Sequence, residues 1–288
     1  MEYLIHLAIL IAIYVILSLS LNLVVGYTGL LSVTHAAFYG IGVYATAILA
    51  TKLGVSFFVS ILIGVIVSSI IALAVGMILN RFKDDYYALG SFGFNVIIFS
   101  IFLNWQDLTR GPLGIPGIPR PNIFSINFSE NLIFLMLVVL FAVLVYFISC
   151  FVVDSSFGRV LKGIREDEKA LQVFGYNTHH YKLSIFVIGG AIAAVAGSLF
   201  AAYISFIDPS TFTLNESIFI LAIIILGGLA NLRGSILGAI FLVLIPEILR
   251  FVGMPNEIAA QMRQVIYGII LMLLMLYRPQ GLIGEYKL

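Results

Sequence analysis

The chain has 288 residues, of which 61% are hydrophobic and 10% charged, and its 15 Lys and Arg offset 14 Asp and Glu to a net charge of +1. Soluble domains carry roughly 45–50% apolar and ~25% charged residues, so this composition excludes a water-soluble globular class. The near-neutral balance also excludes an electrostatic nucleic-acid binder.

Runs without acidic or basic residues mark the spans, at roughly 20 apolar residues per bilayer-crossing helix. The opening Met1-Glu2-Tyr3-Leu4-Ile5-His6 lacks the basic region of a cleaved signal, so the first apolar run is expected to be retained as a span. Gly26-Tyr27-Thr28-Gly29 divides the long run Tyr3 to Thr51 into spans of roughly Leu4–Val25 and Leu30–Ala50. Further spans read as Val55–Leu79, Ala88–Leu103, Leu132–Val153 and Leu183–Ile207. In the C-terminal third, Ser217–Leu232 is short and interrupted by Gly227-Gly228, followed by Ser235–Phe251 and about Ile258–Tyr277. The predicted fold is therefore all-α, one polytopic integral membrane bundle over residues 1–288 with about nine spans, eight to ten if Gly-broken pieces are half-helices or re-entrant loops. The apolar runs are continuous rather than alternating, which argues against a β-barrel.

Alternating sides through nine spans gathers ten Lys and Arg on one face, among them Arg81, Arg159, Lys162, Arg165, Lys169 and Lys182, against five on the other. The positive-inside rule then predicts the N-terminus outside and the C-terminus in the cytoplasm. Two loops are long. The outer one, about 104–131, carries Gly111-Pro112-Leu113-Gly114-Ile115-Pro116-Gly117, a stiff strap because proline fixes φ and removes a donor. Such a strap either covers helix ends or offers an external docking or gating surface.

The inner loop, Asp154 to Lys182, is the more informative. Asp154, Ser155 or Ser156 can cap a helix in which Phe157, Val160, Leu161, Ile164, Leu171 and Phe174 recur at helical spacing, ending at Gly175. This predicts an amphipathic helix of about five turns, seated in the headgroup interface or in a groove of a partner protein. Its mixed acidic and basic face favours the protein partner.

Catalytic and metal chemistry is absent from the pattern: there is no P-loop, no His-Glu-x-x-His, no Gly-x-Ser-x-Gly and no Cys/His cluster at ligand spacing. The adjacent pair His179-His180 reads as juxtamembrane polar padding. Within the spans the main polar residues are Asn22, His35 and Asn95, the candidate pathway residues, and acidic or basic residues occur only near span ends, at Glu247, Arg250 and Arg263. The series Gly40, Gly42, Ala45 and the series Gly189-Gly190, Ala194, Gly197 read as seams of close helix packing.

Gly158-Arg159-Val160-Leu161-Lys162-Gly163-Ile164-Arg165-Glu166-Asp167-Glu168-Lys169-Ala170, followed by Gly175, resembles the cytoplasmic loop of ABC importer permeases that docks onto the ATPase. More particularly, the chain resembles the branched-chain amino-acid permease family in its M-subunit branch. Matching blocks include Gly26-Tyr27-Thr28-Gly29-Leu30-Leu31-Ser32, Leu226-Gly227-Gly228-Leu229 and Tyr277-Arg278-Pro279-Gln280-Gly281-Leu282, spread over about residues 21 to 283. One departure is that Phe174 stands where the general importer loop has glycine, with Gly175 one place later.

The resemblance implies an ABC importer permease fold with a coupling helix whose ATPase-docking residues are Arg159, Arg165, Glu168, Ala170 and Gly175. It implies a non-enzymatic permease in the cell membrane, paired with a second, distinct permease and served by two cytoplasmic ATPases and an external substrate-binding protein. It places no cofactor on this chain, ATP and magnesium belonging to the ATPases. Leucine, isoleucine and valine are the implied substrates. A related urea or amide importer, or an ion-coupled carrier working without an ATPase, stays open as an alternative.

Overall fold

A computed structural model gives the architecture; the structure describes residues 2–82, 85–123, 126–128, 130–251 and, beyond them, 265, 268–269, 272–273 and 280–283. The first span is α1 (Glu2–Leu21), prolonged by a π-helical turn at Asn22–Gly26. Then come α2 (His35–Lys52), α3 (Phe57–Leu79), α4 (Asp85–Asn104) and the short α5 (Gln106–Thr109). The outer loop continues through two-residue strands β1 (Ile115–Pro116), β2 (Asn122–Ile123) and β3 (Ile126–Asn127). After it run α6 (Asn131–Asp154), α7 (Ser156–Val173) and α8 (Thr178–Ile204). β4 (Phe206–Ile207), α9 (Leu214–Gly227) and α10 (Leu232–Phe251) follow.

Among the described residues five helices are long and apolar enough to cross a membrane: α1 with its π turn, α3, α4, α6 and α8. The expected nine spans meet this structure in three ways. The seventh and eighth expected spans are limbs of one broken pair, α9 and α10, bent by 120°. The second expected span, α2, is an 18-residue helix diluted by Gly, Tyr and Thr, and it is held in the interior of the bundle. Of the ninth, Ile258–Tyr277, only residues 265, 268–269 and 272–273 are described, and Arg263 lies outside the described residues.

The core is the pair α2 and α8, brought close by missing side chains. A Cβ at Gly42 would stand 2.3 Å from the Ala194 carbonyl oxygen, and one at Gly197 would stand 2.2 Å from that of Tyr39. The expected small-residue seams are thus where the two backbones touch. Hydroxyls lock the contact: Thr46 Oγ1 donates to Ser198 Oγ at 2.7 Å, and Ser68 of α3 donates to the Gly190 carbonyl at 2.9 Å. α3 and α6 form an outer shell, each with 28% of its apolar window buried against 72% for α8.

α2 begins five residues later than the expected span start, at His35, because residues 29–34 are held in irregular backbone. Gly29 takes a positive φ of 75°, Ser32 Oγ and Thr34 Oγ1 lie 2.9 Å apart, and the Val33 amide donates to Ser91 Oγ of α4. Such local hydroxyl bonds compete with a helical ladder.

The α9–α10 break is held from α1. Asn22 Oδ1 accepts the Ala230 amide at 3.0 Å, while its Nδ2 donates to the Asn231 carbonyl at 3.0 Å and to Ser235 Oγ at 2.6 Å. Ala230 sits at φ 58°, and Asn231 Oδ1 caps α10 by accepting the Arg233 and Gly234 amides. From the break α10 runs back along α1, so that Tyr3 Oη donates to Glu247 at the opposite end. Leu282 and Ile283 lie at the break again, their amides donating to the Leu226 and Gly227 carbonyls.

At the Tyr3 end the expected stiff strap is a set of short pieces pinned to the bundle. β1 pairs antiparallel with β4, Ile115 opposite Ile207, and the Gly117 and Ile118 amides donate to the Ser205 carbonyl. Lys52 Nζ donates to the Asp107 carbonyl at 2.6 Å, and the Arg120 guanidinium lies 5.8 Å from the ring centres of both Phe134 and Tyr203.

Candidate functional site

The α6–α8 loop closes the opposite end of the molecule. Its turn out of α6 is sharp: a Cβ at Gly158 would stand 2.1 Å from the Val153 carbonyl oxygen. Ser155 is the cap, its Oγ accepting the Gly158 amide at 3.3 Å. The end is a Schellman arrangement, with the Gly175 amide on the Gln172 carbonyl, the Tyr176 amide on that of Leu171, and Gly175 at φ 86°.

Two expectations about this loop are corrected. The single five-turn helix is kinked at Asp167, whose backbone is extended (φ −154°, ψ 97°) and whose Oδ1 accepts the Ala170 amide at 3.0 Å. Aspartate prefers such a cap to a helix interior, and here it starts a second short segment that folds Leu171 onto Gly163. Phe174 does not join the buried face: it is 79% exposed and Val173 86% exposed. The kink shifts the periodicity, and Phe174 lies past the last helical turn. α8 also starts earlier than expected, so Thr178 and Lys182 belong to it rather than to the loop.

Between α7, the segment 28–31, the end of α3, the start of α4 and the start of α8 lies a cavity of about 780 Å³, reached by Thr28, Asp85, Arg165, Asp167, Gln172 and Lys182 among others. Of the five expected docking residues, Arg165 and Glu168 turn toward this cavity and tie the loop to its own spans. Arg165 Nη1 donates to the Gly26 carbonyl and its side chain packs on Gly29. Lys162 adds its ammonium 5.7 Å from the Tyr27 ring centre. Glu168 pairs with Lys182 at 2.5 Å and accepts from Thr178 Oγ1 at 2.8 Å, and Gln172 Nε2 donates to the same threonine. Burial pushes the Glu168 carboxyl up, but the hydrogen bonds from Lys182 and Thr178 and the Lys182 and His179 charges outweigh this and hold it below its ordinary value of 4.5. Arg159 and Gly175 are exposed and Ala170 is half-buried.

The three candidate pathway residues differ in what surrounds them. Asn22 is spent on the α9–α10 break. His35 is buried between Gly189 of α8 and the Ser20 carbonyl of α1; that carbonyl makes a weak contact short of full hydrogen-bond geometry, and neither ring nitrogen has another partner among the described residues. Asn95 is buried on α4 with both amide atoms likewise unpartnered among the described residues. An acidic residue omitted from the sequence-level set, Glu216, sits in the first turn of α9 and accepts from Tyr14 Oη at 2.7 Å. It lies one residue ahead of the expected span Ser217–Leu232. Among the described residues no His, Cys, Asp and Glu gather at metal-binding distance.

The model of the family described as branched-chain amino acid transport system / permease component matches residues 3–275. The chain is 35% identical to the high-affinity branched-chain amino acid transport system permease protein LivM of Escherichia coli (strain K12), over 97% of this chain and 69% of that protein. It is 36% identical to the LivM protein of Salmonella typhimurium (strain LT2), over 94% of this chain and 68% of that protein. The LivH permease of the same organism is 27% identical over 94% of this chain and 91% of its own length. No solved structure matches the chain.

Proposed function

The chain belongs to the branched-chain amino acid transport permease family, and on that premise we propose that it is one of two membrane subunits of an ATP-driven importer for leucine, isoleucine and valine. The higher identity to LivM than to LivH within one organism supports a LivM-type role beside a second, LivH-like permease. Two cytoplasmic ATPases carry the nucleotide and magnesium, and an external binding protein delivers the solute to the strap end of the bundle. The loop end is cytoplasmic and the N-terminus external; about nine spans follow if α2, both limbs of the broken pair and the segment at 258–277 are counted.

The observation that carries this reading is the doubly anchored loop. α7 is fixed to α1 through Arg165 and to α8 through Glu168, while Val173 and Phe174 stand out from it uncovered. An exposed aromatic beside a rigid turn is what a groove on a partner grips. A push there reaches the spans, because both anchors are polar bonds to span ends. In this role Phe174, Val173, Arg159, Ala170 and Gly175 form the docking face, and Arg165 and Glu168 transmit the force. His35 and Asn95, buried polar groups whose side chains make no full hydrogen bond among the described residues, are the candidates for the pathway.

The test is purification of the tagged chain from its native host in mild detergent, with mass spectrometry of what stays bound, paired with leucine uptake in cells lacking the chain. ATPase subunits and a second permease should co-purify, and uptake should vanish without the chain and be competed by isoleucine and valine but not by urea. A chain that purifies alone from cells active in uptake overturns the proposal, and competition by urea moves the substrate to the amide class.

A further inference from the structure

The end of α3 and the start of α8 enclose a second cavity, of about 280 Å³, lined by Met77, Asn80, Arg81, His179, His180 and Leu183. Its mouth is built by a cross-link, Asn80 Nδ2 donating to the His179 carbonyl at 3.1 Å. Its lining includes one arginine and two histidines and, among the described residues, no acidic residue. Glu168, whose carboxylate feels the His179 charge, is already paired with Lys182. Arg81 is permanently cationic, and each imidazole donates at least one N–H in either protonation state. Such a set suits a phosphate anion.

The apolar side does not stop at the cavity. Met77 continues a stripe of exposed side chains up the outer flank of α3, Leu73, Ile70 and Ile66, spaced to lie on one face. That stripe is about 16 Å long at 1.5 Å per residue, close to the roughly 15 Å depth of one leaflet of a ~30 Å hydrocarbon core. A free phosphate ion would use the cations and leave the stripe idle. A phospholipid uses both.

We propose that this cavity is a binding site for the phosphodiester headgroup of an anionic phospholipid, with an acyl chain lying along Ile66, Ile70, Leu73 and Met77. The site is independent of which solute the permease carries. It gives His179-His180, which the sequence offers only as polar padding, a ligand, and it joins α3 to α8 beside the Glu168–Lys182 pair.

Native mass spectrometry of the full chain in mild detergent, titrated with phosphatidylglycerol or with phosphatidylcholine of the same acyl chains, tests it. The chain should retain one phosphatidylglycerol in preference to phosphatidylcholine by roughly fivefold or more, the size expected from one well-placed cation at a membrane surface. The double variant R81Q/H180Q should lose the preference, whereas K169Q, which removes one charge from α7 outside the cavity, should keep it. Met77→Trp, at an exposed position, should block the site with every charge in place, and it keeps the test open should the double variant misfold. Equal retention of the two lipids, or a preference that survives both R81Q/H180Q and M77W, overturns the proposal. Displacement of the lipid by millimolar inorganic phosphate also overturns it, by reassigning the cavity to the free anion.

Discussion

Arg165, on the loop between α6 and α8, donates a hydrogen bond to the carbonyl of Gly26, the last residue of the π-helical turn that ends α1. Four residues back in the same turn, Asn22 braces the break between α9 and α10. One short segment of irregular helix therefore touches both the loop and the broken helix pair. Ends of helices leave carbonyls without partners, and a guanidinium is a strong donor to fill one.

Arg165→Gln should leave membrane insertion and subunit assembly intact and reduce leucine uptake about tenfold, the loss of roughly 1.4 kcal/mol expected for a charge-assisted bond at a half-exposed site. ATP hydrolysed per solute carried should rise, since the ATPases still dock. Reconstituted transport and hydrolysis, measured together, check this; an unchanged ratio would remove Arg165 from the transmission path.

The Glu168–Lys182 pair has a sign that can be worked out. The folded carboxyl sits below its ordinary value of 4.5, so its contribution is complete above about pH 4.5 and is lost as the pH falls through the lower folded value. With Glu168 about one-third exposed, solvent limits the pair to about 1 kcal/mol. Glu168→Lys sets two cations against each other and should abolish uptake, and the exchanged pair E168K/K182E should restore part of it. Failure of the exchange to restore any uptake, in protein that is correctly inserted, would mean that Glu168 acts by some route other than Lys182.

Phe174→Asp should sever ATPase binding without lowering the thermal stability of the isolated chain, because the ring is 79% exposed and supports no internal packing. Exposed aromatic anchors commonly cost 2 kcal/mol or more when removed from an interface, about thirtyfold in affinity. Co-purification yield of the ATPases is the readout, and full yield would place the docking face elsewhere.

Asn22→Ala should lower the unfolding midpoint by about 5 °C, since it strands the Ala230 amide in a buried site. Asn22→Asp should not rescue it: the carboxylate still accepts from Ala230 but has no donor for the Asn231 carbonyl or Ser235 Oγ. A midpoint equal to wild type in either variant would show that the break does not depend on this brace.

Two buried glycines differ in how much room surrounds them. A Cβ at Gly42 meets the Ala194 backbone at 2.3 Å, whereas one at Gly64 meets nothing closer than 3.5 Å. Gly42→Ala should therefore prevent accumulation of folded protein, and Gly64→Ala should be tolerated within about 0.5 kcal/mol. Yield after detergent extraction measures both.

Much of this was legible in the chain itself. Continuous apolar runs fix helices in a bilayer because a lipid-exposed backbone must bond to itself, so spans one, three, four, five and six could be placed within a few residues. Local punctuation marked Asp154, Ser155 or Ser156 as the start and Gly175 as the end of the loop helix, since a cap depends on one side chain and its neighbouring amides, and the structure selects Ser155. The kink at Asp167 was not legible, because helical spacing and an aspartate cap point to different outcomes over the same four residues and packing of Leu171 on Gly163 decides between them.

The sequence by itself determined the class of protein, the family resemblance, the apolar helices and the charged loop, because each depends on residues close together in the chain. Only the tertiary structure decided which polar groups are spent and which are spare. Asn22 and His35 look alike in the sequence, each a lone polar residue in an apolar helix. Asn22 meets Ala230, Asn231 and Ser235, more than two hundred positions away, and is satisfied; among the described residues His35 meets Gly189, which has no side chain to offer it a bond, and only a weak contact with the Ser20 carbonyl. Burial makes an unpartnered polar group costly, and which partner is present depends on helices folding together across the whole chain.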